Sequence, residues 1–148
     1  MRANWVMDGY WHQPEATLEV MQYDWFHTGD IGTIDPAGYV RIADRKKDII
    51  ITGGENIASL EIEQAVYAHP AVAECAVIAA PDDRWGEVPL AIVVKKPGAV
   101  VDAAEIIAHC AGALAGFKVP RRVVFSDDPL PKGGIGKILK RELRDTYL

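Results

Sequence analysis

Cysteine is scarce: only Cys75 and Cys110 occur among 148 residues, and neither has a second cysteine at metal or redox spacing. That excludes a disulfide framework and suits a reducing compartment. Long apolar runs are also missing. Residues 49–51 and 89–94 fall far short of the roughly 20 residues that a membrane-spanning helix needs. Met1 is followed by Arg2-Ala3-Asn4-Trp5 with no apolar signal core behind it, so the expectation is a soluble, cytoplasmic chain. His12, His27, His69 and His109 have no His or Cys at i+3 or i+4, so no metal site is expected. No serine stands in a nucleophile elbow and no Cys–His pair presents itself. Surplus positive charge is lacking too. The net charge of −5 argues against a general nucleic-acid binder. There is no internal repeat and no low-complexity segment.

What is present is ordinary globular composition, with 49% hydrophobic and 25% charged residues and a mean hydropathy of +0.01. The length suits about one average domain. Charge is unevenly placed. Residues 1–117 carry 8 basic and 17 acidic side chains, whereas residues 118–148 carry 8 basic and 4 acidic. A basic tail on an acidic body fits either an anion site near the C-terminus or a solvated amphipathic end.

Pro14-Glu15-Ala16-Thr17 opens a short helix that runs to Met21. The turn signal Asp35-Pro36-Ala37-Gly38 lies between two strand-like runs and predicts a β-hairpin. Asp44-Arg45-Lys46-Lys47-Asp48 is the densest charge cluster, and it reads as an exposed connector and a domain boundary. Residues 1–44 hold too few apolar positions to close a core of their own. Beyond the connector, residues 49–52 read as a strand that Gly53-Gly54 breaks. Ser59 reads as the N-cap of a helix over 60–68. Residues 72–80 and 88–96 are strand-like, 101–114 form a helix with Gly116 at its stop, 122–125 a strand and 137–147 a last helix. This β-α-β-β-α-β-α order predicts a small α+β domain, with helices packed on a mixed β-sheet.

Several segments could carry chemistry. Gly133-Gly134-Ile135-Gly136-Lys137 matches neither common phosphate-loop pattern, but it places one lysine after a flexible loop, where a helix is expected to start. An ammonium there can stabilise charge developing on a phosphate or carboxylate. A surface hinge with a solvated lysine has the same pattern. Thr28-Gly29-Asp30 follows Trp25-Phe26, and a carboxylate so placed can accept two hydrogen bonds from a sugar diol or simply cap a turn. Gly53-Gly54-Glu55-Asn56 permits close backbone approach by a narrow ligand, or makes a tight turn. Trp85-Gly86-Glu87 puts an indole on a loop, either for stacking or as a partly buried rim.

These segments fall in one order. Gly9-Tyr10-Trp11 with Pro14-Glu15-Ala16-Thr17 comes first, then Trp25-Phe26-His27-Thr28-Gly29-Asp30. Asp44-Arg45-Lys46-Lys47-Asp48-Ile49-Ile50-Ile51-Thr52-Gly53-Gly54-Glu55-Asn56-Ile57 and Trp85-Gly86-Glu87 follow. Leu130-Pro131-Lys132-Gly133-Gly134-Ile135-Gly136-Lys137-Ile138-Leu139-Lys140-Arg141 closes the series. The chain so read resembles the AMP-forming acyl-CoA synthetases, over essentially its whole length. The resemblance implies that Asp30 binds the ribose hydroxyls of ATP and that Arg45 contacts ribose and phosphate. It makes Lys47 a hinge and Lys137 the catalytic lysine of adenylation. It assigns Gly53, Gly54 and Glu55 to the pantetheine channel, Trp85 to a loop facing coenzyme A, and Arg121 to its phosphates. ATP and coenzyme A are the implied co-substrates, with Mg2+ held mainly by a large N-terminal domain. Asp44 stands where many members have Gly, as in some fatty-acyl members.

The implied organisation is a β-rich tail of the large AMP-binding domain over residues 1–44, a hinge over 45–48 and a C-terminal lid domain over 49–148. The family's ATP phosphate loop and acyl pocket are not in the sequence, so a fragment or a truncated product is expected. The implied function is the C-terminal part of an ATP-dependent carboxylic acid–CoA ligase, with fatty and aryl acids both open. A stand-alone module that binds nucleotide, coenzyme A or a protein is an alternative, as is part of an adenylation domain that loads a carrier protein.

Overall fold

The computed structural model describes residues 1–148 and divides them into two compact units, Met1–Lys47 and Asp48–Leu148. In the first, helix α1 (Pro14–Val20) carries proline in its opening turn, where a missing N–H costs nothing. Strands β1 (Met21–Gln22) and β2 (Trp25–Phe26) pair antiparallel, as do β3 (Asp30–Ile34) and β4 (Val40–Arg45). The β3–β4 turn is fixed by Asp35, whose Oδ1 accepts the Ala37 and Tyr39 N–H groups at 2.9 and 3.0 Å. No apolar side chain of residues 1–47 is buried. The cause is not scarcity. Trp5 and Trp11, each 85% exposed, and the ribbon residues Ile34 and Tyr39 are apolar but have no second layer to pack on.

The second unit runs β5 (Ile50–Thr52), β6 (Glu55–Ile57), α2 (Ser59–Tyr67), β7 (Val72–Asp82), β8 (Gly86–Lys95), α3 (Ala103–Ala111), β9 (Arg122–Ser126) and α4 (Lys140–Tyr147). The strand order is β6-β5-β8-β7, with β9 lying parallel along β8 and every other pairing antiparallel. The period-2 alternation of β7 and β8 builds two apolar faces. Cys75, Val77, Ala91 and Val93 pack with Ile62 and Val66 of α2 and Ile106 of α3. Ala76, Ile78, Leu90 and Ile92 pack on the other face with Leu130 and Leu143 of α4. Each fully buried Val, Leu or Ile contributes roughly 1.5–3 kcal/mol, so both layers are firmly held. The expected α+β class, with helices on a mixed sheet, is the observed one.

Five local expectations change. Gly53-Gly54 ends β5 as expected, but not as a plain break. It is a two-residue hairpin turn with φ of +57° and +86°, and it leads into the unforeseen strand β6. Asp44 and Asp48 are buried rather than exposed. Asp48 Oδ1 accepts from Arg144 Nη2 at 2.7 Å, and Asp44 Oδ1 accepts the Arg45 N–H at 2.7 Å. Such pairing is what lets a carboxylate enter a low-dielectric site. Ser59 is the first helical residue, not the N-cap, and its buried hydroxyl accepts from Lys140 Nζ at 2.6 Å. Helix α3 ends at Ala111 with Gly112 as its cap, and Gly116 opens a 3-10 turn instead. Its start is a capping box, in which the Asp102 carboxylate accepts the Glu105 N–H and Glu105 accepts the Asp102 N–H, each at 2.9 Å. The last helix starts at Lys140, so Lys137 lies outside it. No helix is long and apolar enough to cross a membrane.

Candidate functional site

Three groups of residues stand out, one in the first unit and two in the second. In the first, the β3–β4 register sets Asp30 opposite Arg45. Arg45 Nε lies 3.7 Å from Asp30 Oδ1, and both side chains keep solvent access. The Thr28 hydroxyl accepts the Asp30 N–H at 3.1 Å, which fixes the turn. A hollow of about 720 Å³ opens here, lined by Trp25, Phe26, Thr28, Gly29, Asp30 and Lys46 among others. A carboxylate only accepts and a guanidinium only donates, so together they can hold the two hydroxyls of a diol from both sides.

Lys47 lies in a single 3-10 turn, Lys46–Asp48. The Lys46 N–H donates to Gly29 O at 2.8 Å inside the first unit. The Asp48 carboxylate is held by Arg144 inside the second. The chain is thus tied to its own unit on each side of Lys47, by a backbone bond at Lys46 and a side-chain bond at Asp48.

The second group forms where β5 and β8 meet. The Gly53 N–H donates to Trp85 O at 2.9 Å, and a Cβ on Gly53 would stand 2.9 Å from Trp85 Cε3. Glycine is therefore required both by the positive φ and by the indole lying on it. The Asp82 Oδ1 accepts the Arg84 and Trp85 N–H groups, each at 2.9 Å, which stiffens the loop. Two guanidiniums lie over the indole, Arg84 at 4.8 Å and Arg121 at 5.4 Å from the ring centroid. The Arg121 N–H is anchored on Pro89 O at 3.0 Å. Glu87 Oε2 accepts the Ile51 N–H at 2.8 Å and stitches β8 to β5. Gly53, Trp85 and Arg121 are thus brought together. Glu55 is exposed on β6, the outermost strand, apart from the indole contact. Arg84 was not anticipated from sequence, although its place beside Trp85 on a turn was a usable signal.

The third group surrounds Lys137. Residues 132–138 fold back on themselves: Lys132 and Ile138 form an antiparallel bridge, and the Gly133 N–H donates to Lys137 O at 2.8 Å. The Leu139 N–H donates to Pro131 O, also at 2.8 Å. The expected placement of Lys137 at a helix N-terminus is corrected, because the backbone N–H groups of this loop turn inward to loop carbonyls. Lys137 is exposed at the end of a closed turn and makes no ion pair. Lys132, at the turn's root, pairs with Glu74 at 2.6 Å. That hydrogen bond holds the Glu74 carboxyl below its ordinary value, against a partial desolvation that raises it. Burial pushes the Cys75 and Cys110 thiols up, Cys75 furthest, so both are inert packing residues. No group of three or more His, Cys, Asp or Glu side chains is placed to hold a metal ion.

A family model described as the AMP-binding enzyme C-terminal domain matches residues 61–137, more than half of the chain. The chain belongs to this family. It is 52% identical to a feruloyl-CoA synthase of Amycolatopsis sp. over 142 residues, which is 96% of this chain and 29% of that protein. It is 44% identical to the long-chain-fatty-acid–CoA ligase FadD13 of Mycobacterium tuberculosis over 147 residues, 99% of this chain and 29% of that one. Among solved structures, ATP-bound MatB from Rhodopseudomonas palustris superposes with a TM-score of 0.85 at 46% identity, over 94% of this chain and 28% of that chain. The family member described here thus spans under a third of the length of the curated relatives it matches.

Proposed function

We propose that the chain acts as the C-terminal part of an ATP-dependent, AMP-forming carboxylic acid–CoA ligase. The observation that carries this reading is the placement of two groups on one rigid sheet. The root of the Lys137 turn is fixed at the Glu74 end of β7, whereas the Gly53–Trp85–Arg121 group lies beyond its Asp82 end. Eight residues of extended strand separate these ends, roughly 25 Å. A body of this kind can present one group or the other to a fixed reaction centre, but not both. Two half-reactions that need different faces are the natural use for it.

In the first step a substrate carboxylate oxygen attacks the α-phosphorus of ATP, the new P–O bond forms and pyrophosphate leaves. The Lys137 ammonium neutralises the negative charge gathering there. Asp30 and Arg45 hold the ribose diol. In the second step the unit turns about Lys47 and withdraws Lys137. Gly53 and Gly54 then admit the pantetheine arm, and the coenzyme A thiol attacks the acyl carbon to release AMP. The indole of Trp85 offers a stacking surface for adenine, and Arg84 and Arg121 offer donors to its phosphates. That indole and guanidinium group favours free coenzyme A over a carrier protein as acceptor. Mg2+ belongs to this reading as the counter-ion of bound ATP. The relatives' names cover a feruloyl and a long-chain fatty acyl substrate, and an aromatic or fatty acid is the substrate class proposed here.

The test is a fusion of this chain to the remaining N-terminal sequence of the Amycolatopsis feruloyl-CoA synthase, replacing its matching C-terminal part. Acid-dependent pyrophosphate release and thioester formation from ATP and coenzyme A are expected. A folded fusion that does neither overturns the reading.

A further inference from the structure

The Lys137 turn has two legs, and each carries a second lysine that is tied down. On the incoming leg, Lys132 Nζ donates to Glu74 Oε1 at 2.6 Å and the Leu130 N–H donates to Glu74 Oε2 at 3.1 Å. On the outgoing leg, Lys140 Nζ lies 2.7 Å from Glu63 Oε1 and donates to Ser59 Oγ at 2.6 Å. Glu63 Oε1 also accepts the Val77 N–H at 2.9 Å. Glu74 and Val77 both belong to β7, which ends the sheet and pairs only with β8. The carboxylates therefore do two things at once. Glu63 satisfies a donor on an otherwise open strand edge, and both fix lysines that flank Lys137 in the chain. The Glu63–Lys140 pair is well shielded, with 13% and 16% side-chain exposure, whereas Glu74 and Lys132 are 22% and 40% exposed.

We propose that Glu74 and Glu63 are positioning residues that pin the two legs of the Lys137 turn to the outer edge of β7, so that the Lys137 ammonium is presented from a fixed root. The geometry gives each carboxylate a double contact: Glu74 takes a side-chain and a main-chain donor two residues apart, and Glu63 bridges α4 to β7. A solvated surface pair would need neither. The lowered Glu74 carboxyl is consistent with this, since the Lys132 hydrogen bond favours its charged form. The consequence for reaction rests on the ligase reading above; the clamp itself does not.

Amide hydrogen exchange on the full 148-residue chain tests the clamp without any enzyme assay. In Glu74→Gln and in Lys132→Met, exchange at Gly133 and Leu139, whose N–H groups close the turn, is expected to rise on the order of tenfold. Ile78 and Ile92 in the sheet keep their rates, and Lys132→Arg stays near the parent. Rates at Gly133 and Leu139 within about twofold of the parent in both variants overturn the proposal. Should Glu74→Gln lose protection throughout the sheet, Lys132→Met decides by the same criterion, since it alters an exposed side chain.

In the fusion enzyme, Glu74→Gln is expected to lower kcat for pyrophosphate release roughly tenfold, with KM for ATP and thioester formation from supplied acyl-AMP unchanged. If Lys137→Ala abolishes pyrophosphate release and Glu74→Gln does not slow it, the positioning role fails and the ligase reading stands. If Lys137→Ala itself leaves pyrophosphate release intact, the ligase reading fails, and exchange alone judges the clamp.

Discussion

Gly53 concentrates two constraints in one residue. Its φ is +57°, and a Cβ would meet Trp85 Cε3 at 2.9 Å. A Cβ on Gly54, at φ +86°, would meet nothing within 4 Å. Gly53→Ala should therefore cost about 1–3 kcal/mol, and Gly54→Ala only the backbone part of that. Urea unfolding at constant m separates them, and the Trp85 fluorescence should shift in the first variant alone. Equal losses would mean that the indole does not rest on Gly53. At this scale the sequence announced the special residues but not their partners. The glycine pair, Trp85 and Asp30 were legible as unusual, whereas the roles of Arg45 and Arg121 came only with the family resemblance. That Gly53 lies under Trp85, or that Asp48 is buried against Arg144, was not legible, because these contacts join positions far apart in the chain. Asp48 looked solvated for the same reason: a charge run reads as surface until its counter-charges are known.

Among the elements, α3 has the clearest local specification. Asp102 and Glu105 satisfy two orphan N–H groups reciprocally at its start. Asp102→Ala should cost about 1 kcal/mol, seen as a lower melting temperature with the same folded far-UV spectrum. An unchanged melting temperature would mean that the helix is held by Ile106 and Cys110 alone. The D-x-x-E spacing was there to be read, and so was the alternation of β7 and β8 that sends successive residues to opposite cores. Two elements were hidden. Strand β6 follows a Gly-Gly turn, and glycines read more readily as a break than as a hairpin. The Lys137 turn continues a helical pattern on paper, yet its N–H groups bond to loop carbonyls, so α4 begins three residues later.

At the scale of the molecule, the boundary between Lys47 and Asp48 separates a unit with a two-faced core from one with no buried apolar side chain. In the proposed account, the exposed apolar side chains of residues 1–47 are covered by the rest of a longer ligase, and the second unit moves as one body. In that account its rigidity comes from the layered core, and its two proposed roles come from the two ends of β7. The account's central claim is that Lys137 serves adenylation only, and the most direct measurement is Lys137→Ala in the fusion enzyme, assayed for each half-reaction. Pyrophosphate release should fall by at least about 100-fold, while thioester formation from supplied acyl-AMP and coenzyme A stays within about twofold. Equal loss in both half-reactions would contradict it.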